Sequence, residues 1–345
     1  MSVSRLSLAL AGGDALPPAG TLLVIGPPAE ADLSALPRDR AILVQPMKPD
    51  HDAWAARGWQ VRPDLPGSPA AAAIVFLPRA RDAARARVAA AADRVEPGGP
   101  VWVDGQKTDG IDAMLRELRG RLPVGPALSK AHGKVLPFAA PDGETLADWR
   151  DVAREVAPGF VTRPGVFSAD GPDPGSRALA NVLPATLPAT LADLGAGWGW
   201  LAAQALARDG VKELHLVEAD HVALACARQN LSDPRARFHW ADATRFAPER
   251  RFDGIVMNPP FHQGRAADPG LGHAFIRAAA TMLTPAGKLW MVANRHLPYE
   301  TALRDSFRDV AEIGGDGAFK LFLAARPVGA GGKDTPPGAS RRPRG

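Results

Sequence analysis

Four short stretches in the second half of the chain carry side chains suited to ligand binding and group transfer. Asp193-Leu-Gly195-Ala-Gly197-Trp-Gly199 follows an apolar run and opens a helical one. Glycines at such a junction let the backbone turn sharply and approach a ligand closely. The helix start beyond them offers free N–H groups to a carboxylate or phosphate. A tight turn with no ligand is the plainer reading of this loop taken alone. Glu218 closes the next apolar run, 23 residues after Gly195. At that distance an acidic side chain meets a ribose diol, and Asp220 is the substitute two residues on. Asp242, in Trp240-Ala-Asp-Ala243, follows a third apolar run and suits an adenine amine. Asn258-Pro259-Pro260-Phe261 lies 63 residues past Gly195. An amine conjugated to an aromatic ring is a poor nucleophile because its lone pair is delocalised. An Asn side-chain oxygen and a backbone carbonyl can accept its two N–H bonds and aim the lone pair at an electrophilic methyl. Geometry and polarisation then suffice without a strong base. The prolines stiffen the loop, and Phe261 offers a stacking face to a planar base, worth roughly 1–3 kcal/mol.

These residues need a scaffold, and the hydrophobic pattern supplies one. Strands are expected at 191–194, 213–217, 237–240, 252–257 and 288–293, with helices at 200–208, 221–230 and 272–283. Residues 319–323 read as an antiparallel edge strand. The first half shows the same grammar: strands at 21–25, 41–44, 72–77 and 101–103, and an Ala/Arg-rich helix at 81–95. Strands alternating with helices indicate βαβ units and parallel sheets. The polar stretch 137–158 reads as a helix-like connector. The two halves read as diverged copies of one fold, since each places proline directly after a central strand, at Leu77-Pro78-Arg79 and at Asn258-Pro259-Pro260.

Composition narrows the class. The 345 residues are 46% hydrophobic and 23% charged, a globular balance. No apolar run approaches the roughly 18–20 residues of a membrane helix. The serine-broken stretch Ser4–Ala11 is too short for a signal peptide. One cysteine, Cys226, excludes an intramolecular disulfide framework and a cysteine-cluster metal site; a reducing cytoplasm is the default. The eight histidines show no metal-ligand spacing, so no metal is expected. Lys333, Arg341, Arg342 and Arg344 against Asp334 place +3 of the net +4 charge on the Gly/Pro/Arg-rich end, leaving the body near +1. That supports nucleic-acid binding only weakly.

Asp193–Gly199, Glu218, Asp242 and Asn258–Phe261 resemble the motifs of a class I S-adenosylmethionine-dependent methyltransferase of the amine-modifying branch. Pro164-Gly-Val-Phe-Ser168, Asp173-x-Gly175-Ser176, Asn258-Pro-Pro-Phe-His262, Val292-Ala-Asn294 and Leu297-Pro-Tyr299 resemble bacterial ribosomal RNA guanine-N2 methyltransferases. Val103-x-Gly105 and Gly110-Ile111 fit that family's degenerate domain. The resemblance is specific over about 160–325 and looser over 15–140. It implies an α/β fold of two Rossmann-like methyltransferase-type domains in tandem, the first degenerate and the second catalytic. The division is 1–140, a connector 141–160, a catalytic domain 161–328 and a disordered basic tail 329–345.

The resemblance also implies roles. Gly195, Gly197 and Gly199, after Asp193, cradle the methionine part of S-adenosylmethionine. Glu218 binds the ribose, Asp242 the adenine, and Phe167 and Ser176 close over the cofactor. Asn258 and the Pro259 carbonyl hold the guanine amine, Pro260 stiffens the loop, and Phe261 stacks on the base. Trp198, inside the glycine loop, departs from the pattern and either packs outward or narrows the entrance. The first half lacks these motifs and is expected to hold RNA or support the catalytic half. The expected activity is methyl transfer to the N2 of a guanine in ribosomal RNA, 16S foremost, by a cytoplasmic monomer acting on RNA or the small subunit. The target base must leave its stack to reach Asn258. The rivals are another amine (adenine N6 or a protein glutamine amide), a nicotinamide dehydrogenase, and a non-catalytic RNA-binding assembly factor. His262 is a proton relay or a loop-orienting residue. Arg265, Arg295 and Lys320 contact phosphate or are ordinary surface, and Cys226 is inert core.

Overall fold

Aliphatic runs too short for helices become buried strands. Leu22–Ile25, Ala72–Phe76 and Leu191–Leu194 carry almost no exposed side chain, as strands covered on both faces must. The structure, a computed structural model, describes residues 3–12, 14–260, 262–263, 266–267 and 269–329, with backbone alone at 262–263, 266–267 and 269.

The first domain contains α1 (Arg5–Ala9), β1 (Leu22–Ile25), β2 (Ala41–Val44), α2 (Lys48–Ala56), β3 (Gln60–Arg62), β4 (Ala72–Phe76), α3 (Arg81–Arg94), β5 (Pro100–Gln106), α4 (Ile111–Arg119), β6 (Leu128–Lys130) and β7 (Gly133–Ala139). Its strands form one seven-stranded sheet in the order β3-β2-β1-β4-β5-β7-β6, with β7 alone antiparallel to the rest.

A hairpin, β8 (Arg154–Ala157) and β9 (Phe160–Thr162), precedes the second domain. There follow α5 (Pro174–Val182), β10 (Thr190–Leu194), α6 (Trp200–Leu206), β11 (Glu213–Glu218), α7 (His221–Asn230), β12 (Ala236–Trp240) and β13 (Phe252–Met257). The chain continues through the ribbon β14 (His262–Gln263) and β15 (Ala266–Ala267), then α8 (Pro269–Met282), β16 (Leu283–Asn294), α9 (Glu300–Ser306), β17 (Phe307–Gly315) and β18 (Phe319–Pro327). The second sheet runs β12-β11-β10-β13-β16-β18-β17, with β18 alone antiparallel to the rest. Both domains therefore follow one strand order, and the duplicated grammar of the sequence corresponds to a repeated fold.

Two sequence expectations change. Residues 319–323 belong to an inner strand: β18 pairs with β16 on one side and β17 on the other, and β17 is the edge. The stretch 137–158 contains the end of β7, a single 3-10 turn at Ala147–Trp149 and β8. Leu146 and Trp149 pack into the first domain's core there, so their burial decides against the helix their neighbours suggest.

Each sheet is buried on both faces. In the second domain one face meets Ile276, Ala279 and Leu303 of α8 and α9; the other meets Leu179, Ala202 and Ala205 of α5 and α6. Strand order reverses between β10 and β13. The chain winds outward through β11 and β12, then returns to pair β13 with β10, Leu194 beside Met257. At such a switch point the loops leaving both strands diverge and open a crevice.

Candidate active site

Register decides which loops meet. Leu194 and Met257 are paired, so Gly195 and Asn258 leave the sheet side by side. Val217 pairs with Leu194 on the other flank, which brings Glu218 to the same edge. A cavity of about 430 Å³ opens over these three strand ends, large enough for a nucleoside-sized ligand. Gly195, Gly197, Glu218, Asp242, Asn258 and Phe167 all line it. A small annex of about 40 Å³ adds Asp173, Ser176 and Asp193. The structure thus gathers at one place the described residues singled out for cofactor and amine, except Gly199, which packs behind the loop; Phe261 and Arg265 lie outside the described residues, as does the His262 side chain.

The glycine loop is conformationally demanding. Gly195, Gly197 and Gly199 all adopt positive φ. Gly199 is also crowded: a Cβ there would lie 2.9 Å from Leu231 Cδ1 and 3.2 Å from Ala227 Cβ of the helix behind it. Trp198 packs inward. It is 3% exposed, meets Phe160 edge-to-face with ring centroids 5.7 Å apart, and donates from Nε1 to the Phe167 carbonyl at 3.0 Å. The bulky residue in the loop therefore anchors the strap 163–168 across the cavity, and the Phe167 side chain stays 54% exposed at its mouth.

Glu218 shapes the loop as well as the cavity. Its Oε2 accepts from the Gly197 N–H at 2.7 Å and its Oε1 from the Asp220 N–H at 2.8 Å. Burial nevertheless pushes its carboxyl up to about 7. Asp193 is buried beneath the loop, and burial together with the nearby Glu218 pushes it up to about 8. Its Oδ2 is buried and has no hydrogen-bond partner. A buried carboxyl oxygen without a donor calls for one from a ligand, best a cationic amine. Of this pair Asp193 is pushed up further, because Glu218 already receives two N–H donors. Asp242 Oδ1 accepts from the Thr244 N–H at 2.8 Å and its hydroxyl at 2.7 Å, fixing the turn that follows β12.

Asn258 is held by residues 82 and 85 positions upstream. Its Nδ2 donates to Asp173 Oδ2 at 2.8 Å and to Ser176 Oγ at 2.9 Å. A carboxylate only accepts, so this contact sets which way the amide points and leaves Oδ1 as the outward acceptor. Ser176 thus touches Asn258 and lines the annex. Asp173 also caps α5, accepting from the Ser176 N–H at 2.8 Å. Pro259 is buried and Pro260 exposed beside it.

Sequence reasoning gave no role to Asp173 and overlooked Leu271, Phe275, Met47 and Pro49, which also line the cavity. Asp173 three residues before Ser176 is a legible helix start. Met47 and Pro49 carry no local signal, being far away in sequence. Two of the candidate phosphate contacts serve structure. Lys320 is buried and pairs with Glu300 and the Leu297 carbonyl, and Arg295 binds the Asp316 and Phe319 carbonyls. Cys226 is buried, and burial pushes its thiol up. Among the described residues no group of three or more His, Cys, Asp or Glu could hold a metal, and no helix is long and apolar enough to cross a membrane.

The strand order and the crevice at its reversal are those of class I S-adenosylmethionine-dependent methyltransferases, and the chain is an enzyme of that class. Residues 158–323 match the Methyltransferase small domain family. The chain is 30% identical over 260 residues to ribosomal RNA small subunit methyltransferase C of Shewanella oneidensis, covering 72% of this chain and 75% of that one. It is 30% identical over 285 residues to the same-named protein of Chromohalobacter salexigens, covering 79% and 85%. Its fold matches the T. thermophilus 16S rRNA N2 G1207 methyltransferase, solved with AdoMet and guanosine, at a TM-score of 0.75. That match has 24% identity and covers 94% of this chain and 92% of that one. The protein belongs to the ribosomal RNA small subunit methyltransferase C family.

Proposed function

We propose that this enzyme methylates the exocyclic N2 of a guanine in 16S ribosomal RNA, working in the cytoplasm as a monomer. The observation that carries the reading is the Asn258 amide beside the cavity, whose nitrogen is held by Asp173 and Ser176 so that its oxygen is the atom left to accept from a substrate amine. Bound S-adenosylmethionine supplies an electrophilic methyl on a sulfonium. Asp193 Oδ2 accepts from the cofactor's amino group, the glycine loop cradles its methionine part, Glu218 takes the ribose hydroxyls and Asp242 the adenine amine. The orphaned Asp193 oxygen and the size of the cavity fit that ligand. Asn258 Oδ1 and the Pro259 carbonyl would accept the two N–H bonds of the guanine amine and turn its lone pair toward the methyl; as the N–C bond forms the S–C bond breaks, S-adenosylhomocysteine leaves, and one amine proton passes to water. No strong base is required, since positioning and polarisation carry the reaction. Phe261 stacks on the base in this reading. The division we propose is a degenerate domain at 1–140, a connector at 141–160, a catalytic domain at 161–328 and a basic tail at 329–345.

The test is methyl transfer from radiolabelled S-adenosylmethionine to small ribosomal subunits from a strain lacking this protein, followed by nucleoside analysis. Label in N2-methylguanosine of 16S RNA is expected. Label in N6-methyladenosine, or in protein, would overturn the substrate while keeping the class.

A further inference from the structure

We propose that the first domain builds one wall of the second domain's cofactor cavity, with Met47 seated against the adenosine end of the ligand. The inference rests on the cofactor placement above and deepens it: the degenerate half acts as a cofactor-affinity element.

The segment that leaves β2 is stiff and docked. Gln45 is buried, donates from Nε2 to the Pro27 carbonyl at 2.8 Å and accepts the Met47 N–H at 3.0 Å. Beyond it the chain pairs with the two residues that follow Glu218. Met47 and Asp220 form an antiparallel bridge. The Lys48 N–H donates to the Ala219 carbonyl at 2.9 Å, and the His221 N–H to the Pro46 carbonyl at 3.0 Å. Trp240 Nε1 clasps both sides, donating to the Pro46 carbonyl at 3.1 Å and the Ala219 carbonyl at 2.9 Å. Lys48 sits over the Trp240 ring, and His51 and His221 meet it edge-on. Met47 and Pro49 thereby line the same cavity as Glu218, Asp220 and Asp242. Met47 keeps 41% exposure, so it presents an apolar side chain that its own domain does not bury.

The first domain reaches the opposite lip too. Gly165, which lines the cavity, lies so close to α3 that a Cβ there would stand 2.5 Å from Ala83 Cβ. Half-buried Arg87 of the same helix donates to the Phe76 carbonyl at 3.1 Å and abuts Gly26, where the first domain's own strand-end loop begins. Its charge faces Asp50 and Asp220, and draws down the Asp220 carboxyl that burial pushes up. The half without a glycine triplet thus directs its equivalent strand ends at the cavity of its neighbour.

The experiment titrates the intact protein and its Met47→Ala, Met47→Leu and Trp240→Phe variants with S-adenosylmethionine and with 5′-methylthioadenosine, which lacks the amino-acid part. Met47 is partly exposed, so the substitutions spare the fold, and ligand-free melting temperatures check this. Met47→Ala should weaken both ligands by the same factor, about five-fold, with Met47→Leu within about two-fold of wild type. Trp240→Phe should also weaken both. In turnover the loss should fall on KM for the cofactor far more than on kcat. Unchanged affinity in Met47→Ala, or a loss for S-adenosylmethionine alone, overturns the proposal. A wild-type chain that bound neither ligand would instead overturn the cofactor placement itself.

Discussion

Both hydrogens of the Asn258 nitrogen are taken, one by an obligate acceptor, which fixes the amide and leaves its oxygen as the acceptor. Asn258→Ala should abolish methyl transfer while leaving cofactor Kd within a few-fold, as equilibrium binding beside a single-turnover assay would show. Collapse of cofactor binding would mean the residue serves the wrong ligand in this reading. Asp173→Ala frees the amide to rotate and should lower kcat on the order of 10²-fold, the scale of one misplaced polar group at the reacting centre. It should also cost about 1 kcal/mol of stability through the lost cap, read by urea unfolding. Asp193 and Glu218 give the site a pH dependence. Both carboxyls are raised above their unfolded values, to about 8 and about 7. Without ligand the folded state therefore holds protons that the unfolded chain has lost. The stability this pair contributes is full below about pH 4 and is lost as pH rises toward 8. A cationic ligand favours the ionised pair, so cofactor affinity should climb from pH 6 to 8 with proton release on binding. Calorimetry in buffers of different ionisation enthalpy measures this; a flat profile would remove Asp193 from ligand contact.

At the scale of elements, the site is a consequence of strand register. The loops after β10 and β13 are neighbours because Leu194 pairs with Met257. The loop after β10 can hug α7 only without a side chain at Gly199. Gly199→Ala should cost at least about 2 kcal/mol, combining positive φ with a clash against Leu231 and Ala227. Chemical denaturation would show it, with cofactor binding lost in parallel. The elements nearest the chemistry were legible, since Leu191–Leu194, Glu213–Glu218 and Phe252–Met257 are short apolar runs closed by turn residues. The antiparallel end of the sheet was less so. Phe307–Gly315 alternates exposed polar and half-buried positions weakly, and its strand state comes from pairing with β18. The same pairing moved Phe319–Pro327 from the edge to the interior.

At the scale of the molecule, two copies of one fold divide the labour. One carries the glycine loop and Asn258; the other spends its switch-point loops on Arg87 and on the docked segment Gln45–Lys48. The basic end of the chain is expected to add a separate, long-range contribution to RNA binding. Residues 330–345 carry most of the net positive charge. Removing them should leave turnover on a short RNA intact and weaken RNA affinity at moderate salt. The slope of log affinity against log salt should drop by about 2. Salt-titrated binding of both chain lengths decides the point, and loss of the catalytic fold on truncation would contradict it.

The sequence by itself determined the class of chemistry, because glycine spacing, Glu218 at the next strand end and Asn-Pro-Pro after the fourth are local patterns written within single loops. It also determined the repeated α/β grammar, since hydrophobic period and turn residues are read over a few positions at a time. Only the tertiary structure decided how Asn258 is turned, that Trp198 faces inward, and that Met47 stands in a cavity built mainly from residues 165–275. Those outcomes depend on contacts between segments tens to hundreds of residues apart. Burial and hydrogen-bond satisfaction choose among such contacts only once the whole chain has packed.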